Sequence, residues 1–428
     1  MSDDLDGWGG AEFVLAADRL DTPDVIEAAD PGDMLRQVAS AAAQVRTALR
    51  SCAETDLSAF TAEGRPRALV VAGVGSSGLA GEILNAMAGL SSPVQVVVSP
   101  AERLPGWVGA ADAVVAVSCS GGTPETLAIA TEAARRGCRL AAVGAGGSPL
   151  HRIAEQARAP FVPVVPPRGG TGPPPQAARP AALSPPEAAV LPRAMLWAVA
   201  VPLLVIAEQT GVARIGSDVY ELAANRLEEV SHQCRPASES FVNPGKSLAL
   251  DLVGALPMVW GTSALSEVAA RRFVSQLQEN AKYPAICGVL PEAAHSQVAA
   301  FDGPFAPRSS RLSAQEPGPG PDDPADLPGW DLDYEETEQA SGFTALRLIL
   351  IADSGEDQRV SAQRAAVTEL AGQRGVGISE LGMDGEHPLV RLAGVIQLTD
   401  YASVYLAIAS GIDPGQTVAI RDLRTRIE

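Results

Sequence analysis

Two short loops hold the residues best suited to chemistry. The first to consider, Ser118-Cys-Ser120-Gly-Gly-Thr123-Pro-Glu-Thr126, lies between an apolar run and an alanine-rich helical stretch. Three hydroxyls, two glycines and an adjacent helix amino terminus form a cradle for a phosphate dianion. Glycine lets the backbone approach closely, its N–H groups point at the anion, and the hydroxyls add donors. Pro124 suits the first helical turn, where its missing N–H costs nothing. Ordinary helix capping accounts for one hydroxyl. It does not account for Ser118, Ser120 and Thr123 together with Ser76 and Ser77 of the other loop.

That other loop, Gly73-Val-Gly75-Ser76-Ser77-Gly78, is a GxGxxG between a strand and a helix. A dinucleotide site also requires an acid at the end of the next strand to hold the ribose. Here Val94–Val98 runs into Ser99-Pro100, and Glu102 lies beyond the proline. A phosphate loop is therefore the better reading.

The elements that must position these loops alternate. An amphipathic helix is expected over Pro31–Ala53, with Leu35, Val38, Ala42, Val45 and Leu49 at three- and four-residue spacing. Strands follow at Arg67–Gly73, Val94–Val98, Ala113–Ser118, Leu140–Val143 and Phe161–Val165. The helices between them cover Leu79–Ala88, Glu125–Arg136 and Leu150–Arg158. A long apolar helix, Ala188–Gln209, closes this series. A second begins after Asn243, with strands Leu256–Trp260, Ala285–Leu290, Leu346–Ala352 and Val376–Leu381. Its helices are Ser266–Gln278, Gln358–Arg374 and Leu389–Ala409. Repeated βα units predict parallel sheets covered on both faces. The proline- and glycine-rich stretch 163–187 and the stretch 305–342 read as insertions without regular structure.

At 428 residues the chain suits two domains of roughly 200 residues each. The expected division is an acidic leader over 1–33, a first domain over 34–215 and a second over 216–428. The net charge of −19 is concentrated. Residues 1–33 hold ten acids and one base, Arg19; residues 316–338 hold nine acids and no base. The remainder is close to neutral. An acidic total argues against non-specific nucleic-acid binding but leaves room for a local anion site. Five scattered cysteines form no CxxC or Cys/His cluster, so neither a disulfide framework nor a metal site is expected. His232 and Cys234 are close in sequence but have no further ligand pair. The start, MSDDLDGWGG, lacks a signal-peptide pattern, and a cytoplasmic protein with no membrane span is expected.

The loop Ser118-Cys-Ser120-Gly-Gly-Thr123-Pro-Glu125-Thr126-Leu127 resembles the S-x-S-x-x-T-x-E-T-L phosphate loop of sugar-isomerase (SIS) domains. Two such units in tandem resemble the bifunctional phosphoglucose/phosphomannose isomerase family. Further matches are Glu279-Asn280-Ala281-Lys282, Leu290-Pro-Glu292-Ala-Ala-His295, Asp400-Tyr401-Ala-Ser-Val-Tyr-Leu-Ala and Gly411-Ile-Asp-Pro.

The resemblance implies two tandem SIS domains, each a three-layer αβα unit of flavodoxin-like type. It also implies metal-independent, cofactor-free isomerisation of glucose 6-phosphate, and of mannose 6-phosphate, with fructose 6-phosphate through a cis-enediol. Glu279 would move the proton between C1 and C2, and Arg193 would stabilise the enediolate. His295 would help open the sugar ring, entering from a second copy in a homodimer. Gly75, Ser76, Ser77, Ser118, Ser120 and Thr123 would hold the phosphate, and Thr417 would bear on the mannose epimer. Arg424 stands where the family carries a ring-opening lysine, in a chain whose only lysines are Lys246 and Lys282. Arginine keeps the charge but does not readily release a proton. The alternative is a sugar-phosphate-binding regulatory protein with little turnover.

Overall fold

Apolar runs rich in valine, alanine and leucine become strands because their branched side chains pack well on a sheet buried from both sides. The computed structural model describes residues 10–89, 92–166, 191–307 and 345–427. One sheet comprises β1 (Ala68–Ala72), β2 (Gln95–Ser99), β3 (Ala113–Ser118), β4 (Arg139–Gly144) and β5 (Phe161–Pro163). Its order is β2-β1-β3-β4-β5 and every pairing is parallel. Each residue of β1 and β3 is buried. The other sheet comprises β6 (Ala255–Gly261), β7 (Ile286–Val289), β8 (Ala345–Asp353) and β9 (Gly377–Met383), in the parallel order β7-β6-β8-β9.

In both sheets the chain starts in the interior and reverses direction, leaving a crevice beyond the carboxyl ends of two adjacent strands. Open α/β sheets bind ligands at such a point. In the first sheet it lies between β1 and β3, so the two glycine-rich loops must meet there.

Two apolar helices, Leu196–Gln209 and Pro388–Ala409, and the amphipathic helix Ser217–Gln233 join the two sheets into one core that also includes Val71 of β1 and Ile349 of β8. The helix Pro388–Ala409 is long and apolar enough to cross a membrane by composition. Its most apolar window is 94% buried inside the chain, which marks it as a core helix.

The helix expected over Pro31–Ala53 is two, Met34–Ala39 and Ala41–Glu54, interrupted at Ser40. Ser40 turns its hydroxyl back to the Gln37 carbonyl (2.6 Å), a local bond that competes with helix propagation. The helix expected from Ala188 begins at Leu196, after a short 3₁₀ turn at Pro192–Ala194. The insertions expected at 163–187 and 305–342 fall largely on 167–190 and 308–344, outside the described residues.

The described part of the acidic leader is built into the body. It forms helices Gly10–Asp21 and Pro23–Ala29, with Leu20 and Ile26 buried. Lys246, itself 1% exposed, donates to the carbonyls of Leu20 (2.5 Å) and Pro236 (2.8 Å) and lies over the Tyr405 ring. Arg19 donates to Ala409 O (2.7 Å), and Asp21 accepts from the Ser240 amide and hydroxyl. Asp30 caps the next helix through the Met34 and Leu35 amides, and burial pushes its carboxyl pKa up to about 6.

Replacing Lys246 by Met leaves two buried carbonyls without their charged donor. We expect a loss of about 1.5–3 kcal/mol in urea unfolding, with faster amide exchange concentrated in residues 10–29. Unchanged exchange there would show that other contacts hold the segment.

Candidate active site at the junction of the two sheets

The two loops of the first sheet leave adjacent parallel strands at the same edge. In the first, Gly73 meets the following helix so closely that a Cβ would sit 2.8 Å from the Ser77 carbonyl carbon, and Gly75 takes φ +59°. Ser77 and Gly78 are buried beneath the loop, and Ser76 is half-buried. In the second loop, Ser118 is buried and its hydroxyl is paired with that of Thr123 at 2.9 Å. The Gly121 amide donates to Ser118 Oγ (3.1 Å) and the Gly122 amide to the exposed Ser120 Oγ (3.3 Å). The helix Pro124–Arg135 starts immediately after, directing its free N–H groups at this loop.

The second sheet contributes the chemically distinct residues. After β6 the helix Ala264–Gln276 ends in a π-helical turn, Leu277–Ala281, which carries Glu279 and Asn280. Ser275 Oγ donates to Glu279 Oε1 at 3.2 Å. Arg193, 6% exposed, donates from Nε to Asn280 Oδ1 (2.7 Å) and from Nη2 to the carbonyls of Pro414 (2.6 Å) and Gly415 (3.1 Å). Burial pushes the Arg193 guanidinium below its usual range, the charge of Glu279 opposes that shift, and Arg272 adds to it. Lys282 takes φ +59° and donates to the carbonyls of Asn280 and Asp413 (2.9 and 2.8 Å). Burial lowers its ammonium pKa, and Arg193 lowers it further.

Arg272 links these parts. It is 2% exposed and makes a two-pronged pair with Asp400, Nε to Oδ1 at 2.9 Å and Nη2 to Oδ2 at 2.8 Å. Nη2 also donates to the Arg193 carbonyl (2.6 Å), and Nη1 donates to Ser76 Oγ (3.2 Å). Between the loop of Ser76 and the helix of Arg272 lies a cleft of about 480 Å³. Its wall includes Gly75, Ser76, Glu82, Arg271, Arg272 and Ser275. Glu82 is pushed above the usual carboxylate range by burial, and the charge of Arg271 opposes that.

The loop of Gly75, Ser76 and Ser77 is thus linked through Arg272 to the Arg193 backbone, and Glu279 is bonded to Ser275 of the cleft wall, while Ser118, Ser120 and Thr123 sit on the neighbouring strand end. Thr417 is half-buried just before the terminal helix Val418–Ile427. Of the expected residues, Gly75 and Ser76 line the cleft itself; the others stand behind its wall or away from it. His295 is exposed at the end of a 3₁₀ turn, Glu292–His295, and Arg424 is exposed on Val418–Ile427, a helix with no buried residue. Arg272 and Glu82 were not singled out from sequence, and Asp400 only as part of the carboxyl-terminal match, without a partner. A signal was present for two of them. Arg272 falls on the apolar stripe Leu265, Val268, Ala269, and Asp400 interrupts the apolar run of Pro388–Ala409.

The chain is similar to known proteins in sequence and in fold. Residues 241–427 match the family described as the bacterial phospho-glucose isomerase C-terminal SIS domain. The second half of the chain is therefore similar to that SIS domain. Over a longer span the chain resembles the bifunctional phosphoglucose/phosphomannose isomerase of Caldicellulosiruptor bescii. The two are 26% identical over 361 residues, covering 84% of this chain and 89% of that protein. The enzyme of the same description from Thermoplasma acidophilum is 23% identical over 359 residues, with the same coverage. Among solved structures, a glucose-6-phosphate isomerase from Chlamydia trachomatis shares the fold with a TM-score of 0.62 at 14% identity. That match covers 99% of this chain and 86% of that one. A Thermus thermophilus protein described as hypothetical gives 0.61 at 14% identity, covering 98% and 94%. The likeness to these proteins agrees with the parallel sheets flanked by helices.

Gly121 tests the second loop. It takes φ +66°, and a Cβ there would lie 2.1 Å from Ser148 Oγ and 2.4 Å from Ser148 Cβ. Ser148 cannot yield easily because it caps the helix Pro149–Ala157. We expect Gly121→Ala to cost about 1–3 kcal/mol in thermal unfolding and to weaken inorganic phosphate binding at least about tenfold by calorimetry. Unaltered phosphate affinity would remove this loop from the site.

Proposed function

We propose that this protein is an aldose–ketose isomerase that interconverts glucose 6-phosphate, and mannose 6-phosphate, with fructose 6-phosphate through a cis-enediol. The observation that carries the reading is the bridge by Arg272 from the glycine- and serine-rich loop to the turn of the buried Arg193 guanidinium, on which the charge of Glu279 acts. Anchoring the phosphate fixes C1 and C2, so that proton transfer becomes intramolecular. Glu279 takes the proton from one carbon and returns it to the other. Its Ser275 bond leaves carboxylate acceptor positions available. Arg193 stabilises the oxyanion of the enediolate. Its bonds to Asn280, Pro414 and Gly415 hold it before the charge develops. In this reading the steps need no metal, and the resemblance to bifunctional isomerases supports activity on both epimers.

His295 is exposed, and in this reading its part in ring opening is played in the site of a second copy of the chain. The exposed apolar residues Val418, Ile420, Leu423 and Ile427 offer a surface for such pairing. We read the chain as two SIS units over 34–215 and 216–428. The helix Ser217–Gln233 packs on both Ala41–Glu54 of the first unit and Pro388–Ala409 of the second. Five free cysteines fit a reducing compartment, in keeping with a cytoplasmic enzyme. A second reading, sugar-phosphate binding with little turnover, draws on Arg424, which is exposed and replaces the family's lysine.

A coupled assay with chelator present, run on fructose 6-phosphate in both directions, separates the two readings. The isomerase reading predicts turnover with the chelator. Binding without turnover of either epimer would favour the second. Glu279→Gln is expected to lower kcat by about 10²–10⁴-fold and to abolish exchange of the C2 proton with solvent, while sugar-phosphate affinity changes little. Exchange that survives this substitution assigns the base elsewhere.

A further inference from the structure

Arg272 touches both ends of the proposed site, and its bonding pattern dictates something about each. A guanidinium has no lone pair and can only donate. The 3.2 Å contact between Arg272 Nη1 and Ser76 Oγ therefore makes the serine oxygen an acceptor. The Ser76 hydroxyl proton must point elsewhere, and Ser76 lines the cleft. At the other end, Arg272 Nη2 holds the carbonyl of Arg193 at 2.6 Å, which fixes the short turn Pro192–Ala194 from which the Arg193 side chain departs. The same turn is held on its far side by Gln44, 1% exposed, whose amide donates to the Ala194 carbonyl at 2.7 Å. Asp400 grips Arg272 with both oxygens, so the guanidinium plane cannot rotate away.

We propose that Arg272 is a positioning residue that presents the Ser76 hydroxyl as a donor to the phosphate of the substrate while fixing Arg193 for the enediolate. This rests on the isomerase reading for its second half only, since the first half concerns anion binding alone. Arg272 acts through Ser76 and Arg193. Its charge is balanced by Asp400, so the anion is met by a directed, polarised hydroxyl. Lysine is not an adequate substitute, because a single ammonium cannot match the fork on Asp400 while also reaching Ser76 and the Arg193 carbonyl.

The test uses inorganic phosphate as probe, measured by calorimetry on the full chain, together with steady-state turnover of fructose 6-phosphate. Four proteins are compared: wild type, Ser76→Ala, Arg272→Lys and the double variant. Each single change is expected to weaken phosphate about tenfold, and the double variant no more than the weaker single. Arg272→Lys is also expected to lower kcat about tenfold or more through the displaced Arg193. A general structural role would give additive losses, and additivity would overturn the proposal. So would unchanged phosphate affinity in Arg272→Lys.

If Arg272→Lys does not fold, Arg272→Met/Asp400→Leu replaces the buried ion pair with apolar groups of similar volume, a change that folds are known to accept. It should show the same phosphate loss and none further on adding Ser76→Ala; a further loss overturns the proposal. A wild type that binds phosphate with this pattern but turns over neither sugar phosphate would sink the isomerase reading and leave the Ser76 positioning intact.

Discussion

The buried pair between Arg272 and Asp400 is the constraint on which the site depends. Taking two charges out of water costs several kcal/mol per ion, and their attraction offsets this only when geometry and further hydrogen bonds are good. Here the fork is two-pronged, and the guanidinium's other bonds go to the Arg193 carbonyl and the Ser76 hydroxyl. These four residues come from four distant parts of the chain. The pair therefore fixes how a loop of the first sheet, a helix of the second, the turn at Pro192–Ala194 and the core helix Pro388–Ala409 meet. An apolar pair could fill the same volume, but it could not specify where a hydroxyl and a carbonyl point.

A second tier of contacts surrounds that pair. Asn280 receives Arg193 Nε and donates to Ser403 Oγ on the core helix, so the turn bearing Glu279 is tied to the same support. The segment Asp413–Gly415 supplies carbonyls to Lys282 and Arg193, and Gly32 packs against Gly415. Through that contact the acidic leader reaches the back of the site. In the described part of the leader, Asp21 and Asp30 are engaged with backbone amides and Asp21 also with a hydroxyl. A chain with a net charge of −19 can thus keep a local environment suited to a phosphate.

Much of the fold was legible in the sequence because buried parallel strands are short, apolar and bounded by glycine, and each is followed by a helical period. Strand positions and both glycine-rich loops agree with the structure to within a few residues. The break at Ser40 was not legible, since it depends on one hydroxyl returning to Gln37. Nor was the docking of the leader, because nothing local in an acidic segment announces that Lys246 will hold the Leu20 carbonyl. Glu279, Asn280 and Lys282 were found through a motif. Arg272, and its pairing with Asp400, was not legible because each charge looks like a defect in an apolar pattern. A charge on a buried stripe, matched by an opposite charge on a second buried helix, is a pattern that sequence reading could have paired. His295 and Arg424 are exposed, and local pattern does not specify what an exposed residue faces.

The most direct test of this account is a crystal structure of the protein with a bound hexose 6-phosphate or a non-reacting polyol phosphate. The account predicts the phosphate at the crevice between β1 and β3, accepting from the glycine-rich loops and from the Ser76 hydroxyl. The C1–C2 bond would lie within hydrogen-bond reach of Glu279, with Arg193 facing the oxygen on C2. A phosphate held elsewhere, or a sugar chain directed away from Glu279, would contradict it.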